Sequence, residues 1–92
     1  MATDELRGIS FDDPRSQAEF ERLIAAVRAA EQERTPVGER HARAEQEVDG
    51  GTLSDDQFRV IDEQYIAANN KIAAAKRAVD AYLTQNNHYR TQ

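Results

Sequence analysis

The side chains of this sequence that could do chemistry are charges rather than nucleophiles. Glu45, Glu47, Asp49, Asp55, Asp56, Asp62 and Glu63 crowd a short stretch in which Arg59 is the single base. Beyond Gln64 the balance reverses, with Lys71, Lys76, Arg77 and Arg90 against Asp80 alone. A dense set of carboxylates can steer and hold a basic partner through a field that salt weakens. Glu45, Glu47, Asp49, Asp55, Asp56 and Asp62 are therefore the candidate partner-binding residues. The cations suit another kind of ligand, since Arg34 with Lys71, Lys76 and Arg77 could hold a small anion such as a nucleotide phosphate. Both sets also fit the solvated faces of long helices.

Other chemistries find little support. The chain has no cysteine, which excludes a disulfide framework, a thiolate metal site and a cysteine nucleophile. Its two histidines, His41 and His88, lack the Glu-x-x-His or His-x-x-x-His spacing of a helical metal site, so no metal and no cofactor is expected. The segment Asp49 to Phe58 resembles the second half of an EF-hand calcium loop. Aligning Gly51 with that loop's glycine, however, puts Gln46, Val48 and Gly50 where oxygen ligands belong and Gln57 where a bidentate glutamate belongs. The same segment is similar to the glycine, hydrophobe, Ser/Thr, acid, acid pattern of short SHOCT-type helical modules. That pattern recurs wherever a capped helix follows a glycine stop, and no family is assigned from it. No nucleophile has an evident base and no glycine-rich phosphate loop is present, so the chain does not read as an enzyme.

The elements that must position these charges follow from two ladders of apolar residues spaced alternately three and four apart. One holds Phe20, Leu23, Val27, Ala30, Arg34, Val37, His41 and Ala44; the other holds Phe58, Ile61, Tyr65, Ala68, Ile72, Ala75, Val79 and Tyr82. Folding the chain back at residue 51 pairs Ala44 with Phe58, His41 with Ile61, Val37 with Tyr65 and Arg34 with Ala68. The same fold pairs Ala30 with Ile72, Val27 with Ala75, Leu23 with Val79 and Phe20 with Tyr82. This is the layer pattern of an antiparallel coiled coil, with a large residue opposite a small one in most layers. In it His41 is a packed or partly exposed imidazole. Arg34 sends its charge to water over Ala68 and fixes the register.

Local signals set the boundaries. Residues 1–12, with Leu6, Ile9 and Phe11, read as an extended arm. Asp13 before Pro14 starts a helix, with Ser16 and Glu19 as a rival capping box. That helix runs over 13–49, and Pro36 kinks it without shifting the heptad phase; the rival is a three-helix arrangement broken at Thr35. Gly50 and Gly51 stop the first helix, and 50–53 is the turn. Ser54 with Gln57 starts a second helix over 54–86, flanked by Leu53 and Phe58 as a hydrophobic staple. Residues 87–92 read as a polar, frayed tail.

One flank of the hairpin carries Ala26, Ala29, Ala67, Ala74, Ala78 and Ala81, with Val60 nearer the turn. This smooth strip lets a second copy approach closely, so the expected fold class is all-α, a kinked antiparallel coiled-coil helical hairpin that dimerises into a four-helix bundle. At 92 residues the chain is near the size at which partner burial helps a small core. Net charge is −5, and the acids at the turn disfavour direct contact with nucleic acid. Without a signal-like or membrane-length apolar run, a cytoplasmic protein is expected. The functional expectation is a non-enzymatic interaction module, an adaptor or inhibitor, whose acidic hairpin tip meets a basic protein. It matches in form the compact helical inhibitors of phages and mobile elements, an analogy of shape alone. The alternatives are an oligomeric binder that sequesters a small anion and a structural spacer.

Overall fold

A computed structural model describes residues 8–91 of the chain. Strand β1 (Ile9–Phe11) leads into helix α1 (Pro14–Asp49), helix α2 (Asp55–Gln85) follows, and strand β2 (Tyr89–Thr91) ends the described chain. The two helices dominate and form a hairpin, so the all-α hairpin expected from the ladders is the observed architecture. The chain divides into two compact units. One is formed by the described residues through Ala29 together with those from Ala73 onward, and the other is Ala30–Ile72.

The first of these, the terminal unit, begins where Asp13 caps α1. Its carboxylate accepts the Ser16 backbone N–H at 3.0 Å and the Ser16 hydroxyl at 2.9 Å, while its carbonyl accepts Gln17 N–H at 3.0 Å. Pro14 occupies the first helical position, where its missing N–H costs nothing. The rival start at Ser16 is thereby ruled out, and Glu19 is engaged by Arg22 instead of closing a capping box. Phe11, Phe20, Ile24, Val27, Val79 and Leu83 form the buried core, with Ile9, Leu23, Ala75, Tyr82 and Tyr89 packed against it. The seam layers Phe20 with Tyr82, Leu23 with Val79 and Val27 with Ala75 all lie in this cluster. Ile24 and Leu83 lie outside the ladders and are nevertheless buried.

They are buried where the segments before α1 and after α2 come together, a pairing that the sequence did not predict. The extended arm carries β1, and the tail expected to fray carries β2: the two pair antiparallel, Ile9 with Thr91, Ser10 with Arg90 and Phe11 with Tyr89. Phe11 is the hub, with ring centroids of Phe20, Tyr82, His88 and Tyr89 at 5.5, 5.6, 5.4 and 5.6 Å. Such tilted and edge-on contacts suit the aromatic quadrupole and add to simple burial. Polar bonds hold the same assembly: Phe11 N–H donates to Gln17 Oε1 at 2.7 Å, Tyr82 hydroxyl to Ser16 carbonyl at 3.1 Å, and Arg90 pairs with Asp12 at 3.1 Å. Leu6, grouped with Ile9 and Phe11 in the expected arm, lies outside the described residues.

In the other unit, the turn unit, α1 runs through Pro36 without a break, which overturns the three-helix arrangement. Pro36 and Gln32 are both exposed, so the Gln32 carbonyl that loses its partner faces water. Ala30, Ala44, Ile61 and Ile72 are buried along the seam.

Truncation after Asn87 should lower the Tm by roughly 5 °C or more, the shift that loss of about 1 kcal/mol produces in a domain of this size. An unchanged Tm would show the tail to be dispensable. The Asp13 carboxyl is held below its ordinary value of 3.8, first by the Ser16 hydroxyl and then by the Ser16 N–H. A depressed folded-state value means that the cap's contribution is complete above about pH 3.8 and is lost as pH falls through the folded-state value. The Tm difference between the wild type and Asp13→Ala should therefore narrow in acid, which a calorimetric pH series would measure.

Candidate functional site

The turn unit carries most of the candidate residues, and its geometry starts with two interlocking caps. Gly51 has φ of 78°, a left-handed conformation that a side chain would strain. This conformation lets Gly51 N–H reach Val48 carbonyl at 3.1 Å and Thr52 N–H reach Glu47 carbonyl at 2.8 Å, the paired bonds of a Schellman stop. The Thr52 hydroxyl also donates to Glu47 carbonyl at 3.1 Å. Shortly afterwards α2 begins with the reciprocal bonds of a capping box: Ser54 N–H to Gln57 Oε1 and Gln57 N–H to Ser54 Oγ, both 3.1 Å. Asp55 and Asp56 stand in the first turn of α2, where the helix dipole favours negative charge.

The six candidate acids separate into two groups. Glu45 and Asp62 turn toward His41, with Asp62 Oδ1 2.8 Å from Nε2 and Glu45 Oε1 3.4 Å from Nδ1. Glu47, Asp49, Asp55 and Asp56 are exposed. Of these four, only Asp56 has a cation nearby among the described residues, Arg59 at 3.7 Å, and both side chains are largely in solvent. A pair so exposed contributes little.

His41 is the most connected polar residue of the unit. Its ring stacks on Tyr65 at 4.5 Å and 23° and lies 5.3 Å from Phe58, and only 12% of the side chain is exposed. Together these contacts join α1 to α2 through one imidazole. The ladder placed His41 opposite Ile61 and foresaw its packing; the engagement of Asp62, one residue further along α2, was not foreseen. Among the described residues no group of three or more His, Cys, Asp or Glu side chains is arranged to hold a metal ion.

The four candidate cations fall in different units. In the turn unit Arg34 donates to Asn69 Oδ1 at 3.1 Å, and Lys71 pairs with Glu33 at 2.5 Å. Lys76 and Arg77 belong to the terminal unit. Arg34 and Lys71 are thus already bound to neighbours on the opposite helix. Ala26, Ala29, Ala67, Ala74, Ala78 and Ala81 are all exposed. In the terminal unit Ser16 Oγ lies 3.4 Å from His88 Nε2, a serine next to a base that the sequence did not reveal. The Ser16 proton, however, is given to the Asp13 carboxylate, so the hydroxyl supports the Asp13 cap and is not activated for attack.

One surface was missed altogether. Two adjoining depressions of about 220 and 310 Å³ share Arg40, Leu53 and Ile61. Ala44 and Glu47 complete the first, with Arg43 at its edge, and Gln57, Val60 and Gln64 complete the second. Val60 is 53% exposed, one of two large apolar side chains so open to solvent among the described residues; the other is Ile66. Leu53 read as a helix staple and Arg40 and Arg43 stood out in no pattern, and only the crossing of the two helices assembles them.

Compared with known proteins, the chain matches no family model, no curated protein and no solved structure. No described helix is long and apolar enough to cross a membrane.

If His41 joins the helices through Asp62, a double-mutant cycle of His41→Ala and Asp62→Ala should give a coupling energy of about 0.5 kcal/mol. Strictly additive losses in urea denaturation would mean that the 2.8 Å contact contributes nothing in solution.

Proposed function

We propose that this protein is a non-enzymatic interaction module that uses its hairpin turn to bind a basic protein. The observation that carries this reading is the contrast within the acidic set. Asp62 is hydrogen-bonded to His41 and Glu45 lies beside the same ring, whereas Glu47, Asp49 and Asp55 are exposed with no ion-pair partner among the described residues. The last two flank a reversal that the Schellman stop and the capping box hold in one conformation. Carboxylates on so fixed a frame lose little entropy on binding, and their field raises the rate of encounter with a cationic surface. Adaptor and inhibitor both fall within this class. The anion-sequestering alternative is weaker, because Arg34 and Lys71 would have to leave Asn69 and Glu33.

The test pairs Asp49→Lys with Asp55→Lys. Tagged wild-type protein, passed through a host lysate, should retain proteins of basic isoelectric point and release them in roughly 0.5 M salt, where the screening length is only a few ångströms. The double variant should retain none of them while its circular dichroism is unchanged. Equal retention by the variant, or retention of mainly acidic proteins, would overturn the reading.

A further inference from the structure

The shallow groove beside the turn has an arrangement of charge that a general acidic surface does not share. Its centre is apolar, made by Leu53, Ile61 and the half-exposed Val60. Its α1 edge is net basic: Arg40 and Arg43 line it with no ion-pair partner among the described residues, and Glu47 stands at the end nearer the turn. On α2 the groove is lined by the neutral Gln57 and Gln64, and the flank beyond Val60 is acidic. Asp56 and Glu63 stand four residues before and three after Val60, which places both beside it on the helix surface. Glu63 is exposed and unpaired among the described residues, and Asp56 has only its loose contact with Arg59.

We infer that this face binds a second copy of the chain. A two-fold axis running along the helices would lay the α1 edge of each copy over the α2 edge of the other. Arg40 and Arg43 then meet Asp56 and Glu63 twice, and the two Val60 side chains enter the facing grooves. An isologous interface needs such self-complementarity. An acidic peptide would satisfy the arginines and be repelled by the other edge, and a basic peptide would meet the opposite conflict. Only a surface with the same two edges satisfies both. Ala67, one heptad beyond Val60 and exposed, leaves room for close approach. The apolar centre is small, so the dimer is weak, with a dissociation constant on the order of 10–100 µM. This interface is independent of the acids tested above, since Asp49 and Asp55 lie outside it.

Sedimentation velocity of the full chain from about 5 to 500 µM, in low and high salt, reads the association directly. Wild type should pass from monomer to dimer across that range, and salt should shift the midpoint upward. The double variant Arg40→Glu, Arg43→Glu and the double variant Asp56→Lys, Glu63→Lys should each raise the dissociation constant at least tenfold. Mixed in equal amounts, the two variants should recover a heterodimer, because each then supplies the edge that the other lacks. Val60→Asp, at an exposed position, should abolish dimerisation while leaving helicity intact. Wild type that stays monomeric at the highest concentration would overturn the proposal. So would charge variants that dimerise as well as wild type, or a mixture that associates no better than its components.

Discussion

A single left-handed residue governs the geometry of the turn and, through it, the pairing of the helices. Gly51 is the one described residue with positive φ, and the bonds made possible there end α1 at a defined carbonyl. Ser54 and Gln57 begin α2 with equal definition. Two helices of 36 and 31 residues are thereby set against each other in one register. The seam depends on that register. Ala30 is buried with Ile72, and Lys71 reaches Glu33, only if the reversal occurs where it does. A slip of one residue would turn the ladder of α2 by about 100° away from its partner.

The two units meet the problem of a narrow core in different ways. The terminal unit adds aromatic mass from outside the helices, with Phe11 and Tyr89 widening a seam that Val27 and Val79 fill completely. The turn unit has no such supplement. Its layers include Arg34 and His41, and each is accommodated by a polar neighbour on α2, Asn69 or Asp62, and not by deeper burial. Polar seam contacts of this type restrict pairing more than they add to stability. The surface they leave beside Val60 is correspondingly shallow.

Much of this was legible in the sequence wherever the signal was periodic or local. The ladders gave the hairpin, and Asp13, Gly51, Ser54 and Gln57 gave the helix ends within a residue or two, because caps and stops depend on neighbours three or four positions away. Continuity through Pro36 was legible from the unbroken heptad phase. The pairing of Ile9–Phe11 with Tyr89–Thr91 was not, since three-residue strands carry no periodicity and their partners lie at opposite ends of the sequence. Burial of Ile24 and Leu83 depends on that pairing and was hidden with it. For the candidate site, the acidic run was plain, but its division into engaged and open carboxylates rests on where the His41 ring points. The groove at Val60 needs two helices to exist, and no window of sequence contains it.

The short ladder between β1 and β2 also bears on the route by which the molecule folds. Its partners are separated by about 80 residues, and the entropy of closing a loop rises with the logarithm of its length. The caps and the seam next to the turn need only short closures, so they can form first and shorten the path between Phe11 and Tyr89. Loop-closure entropy thus favours zipping outward from Gly51, with the strands closing last. Interactions formed after the rate-limiting step act on the rate of unfolding and leave the rate of folding almost unchanged. On that order the aromatic cluster around Phe11 is a latch on lifetime, acting on how long the hairpin stays closed, while the glycine turn acts on how soon it forms.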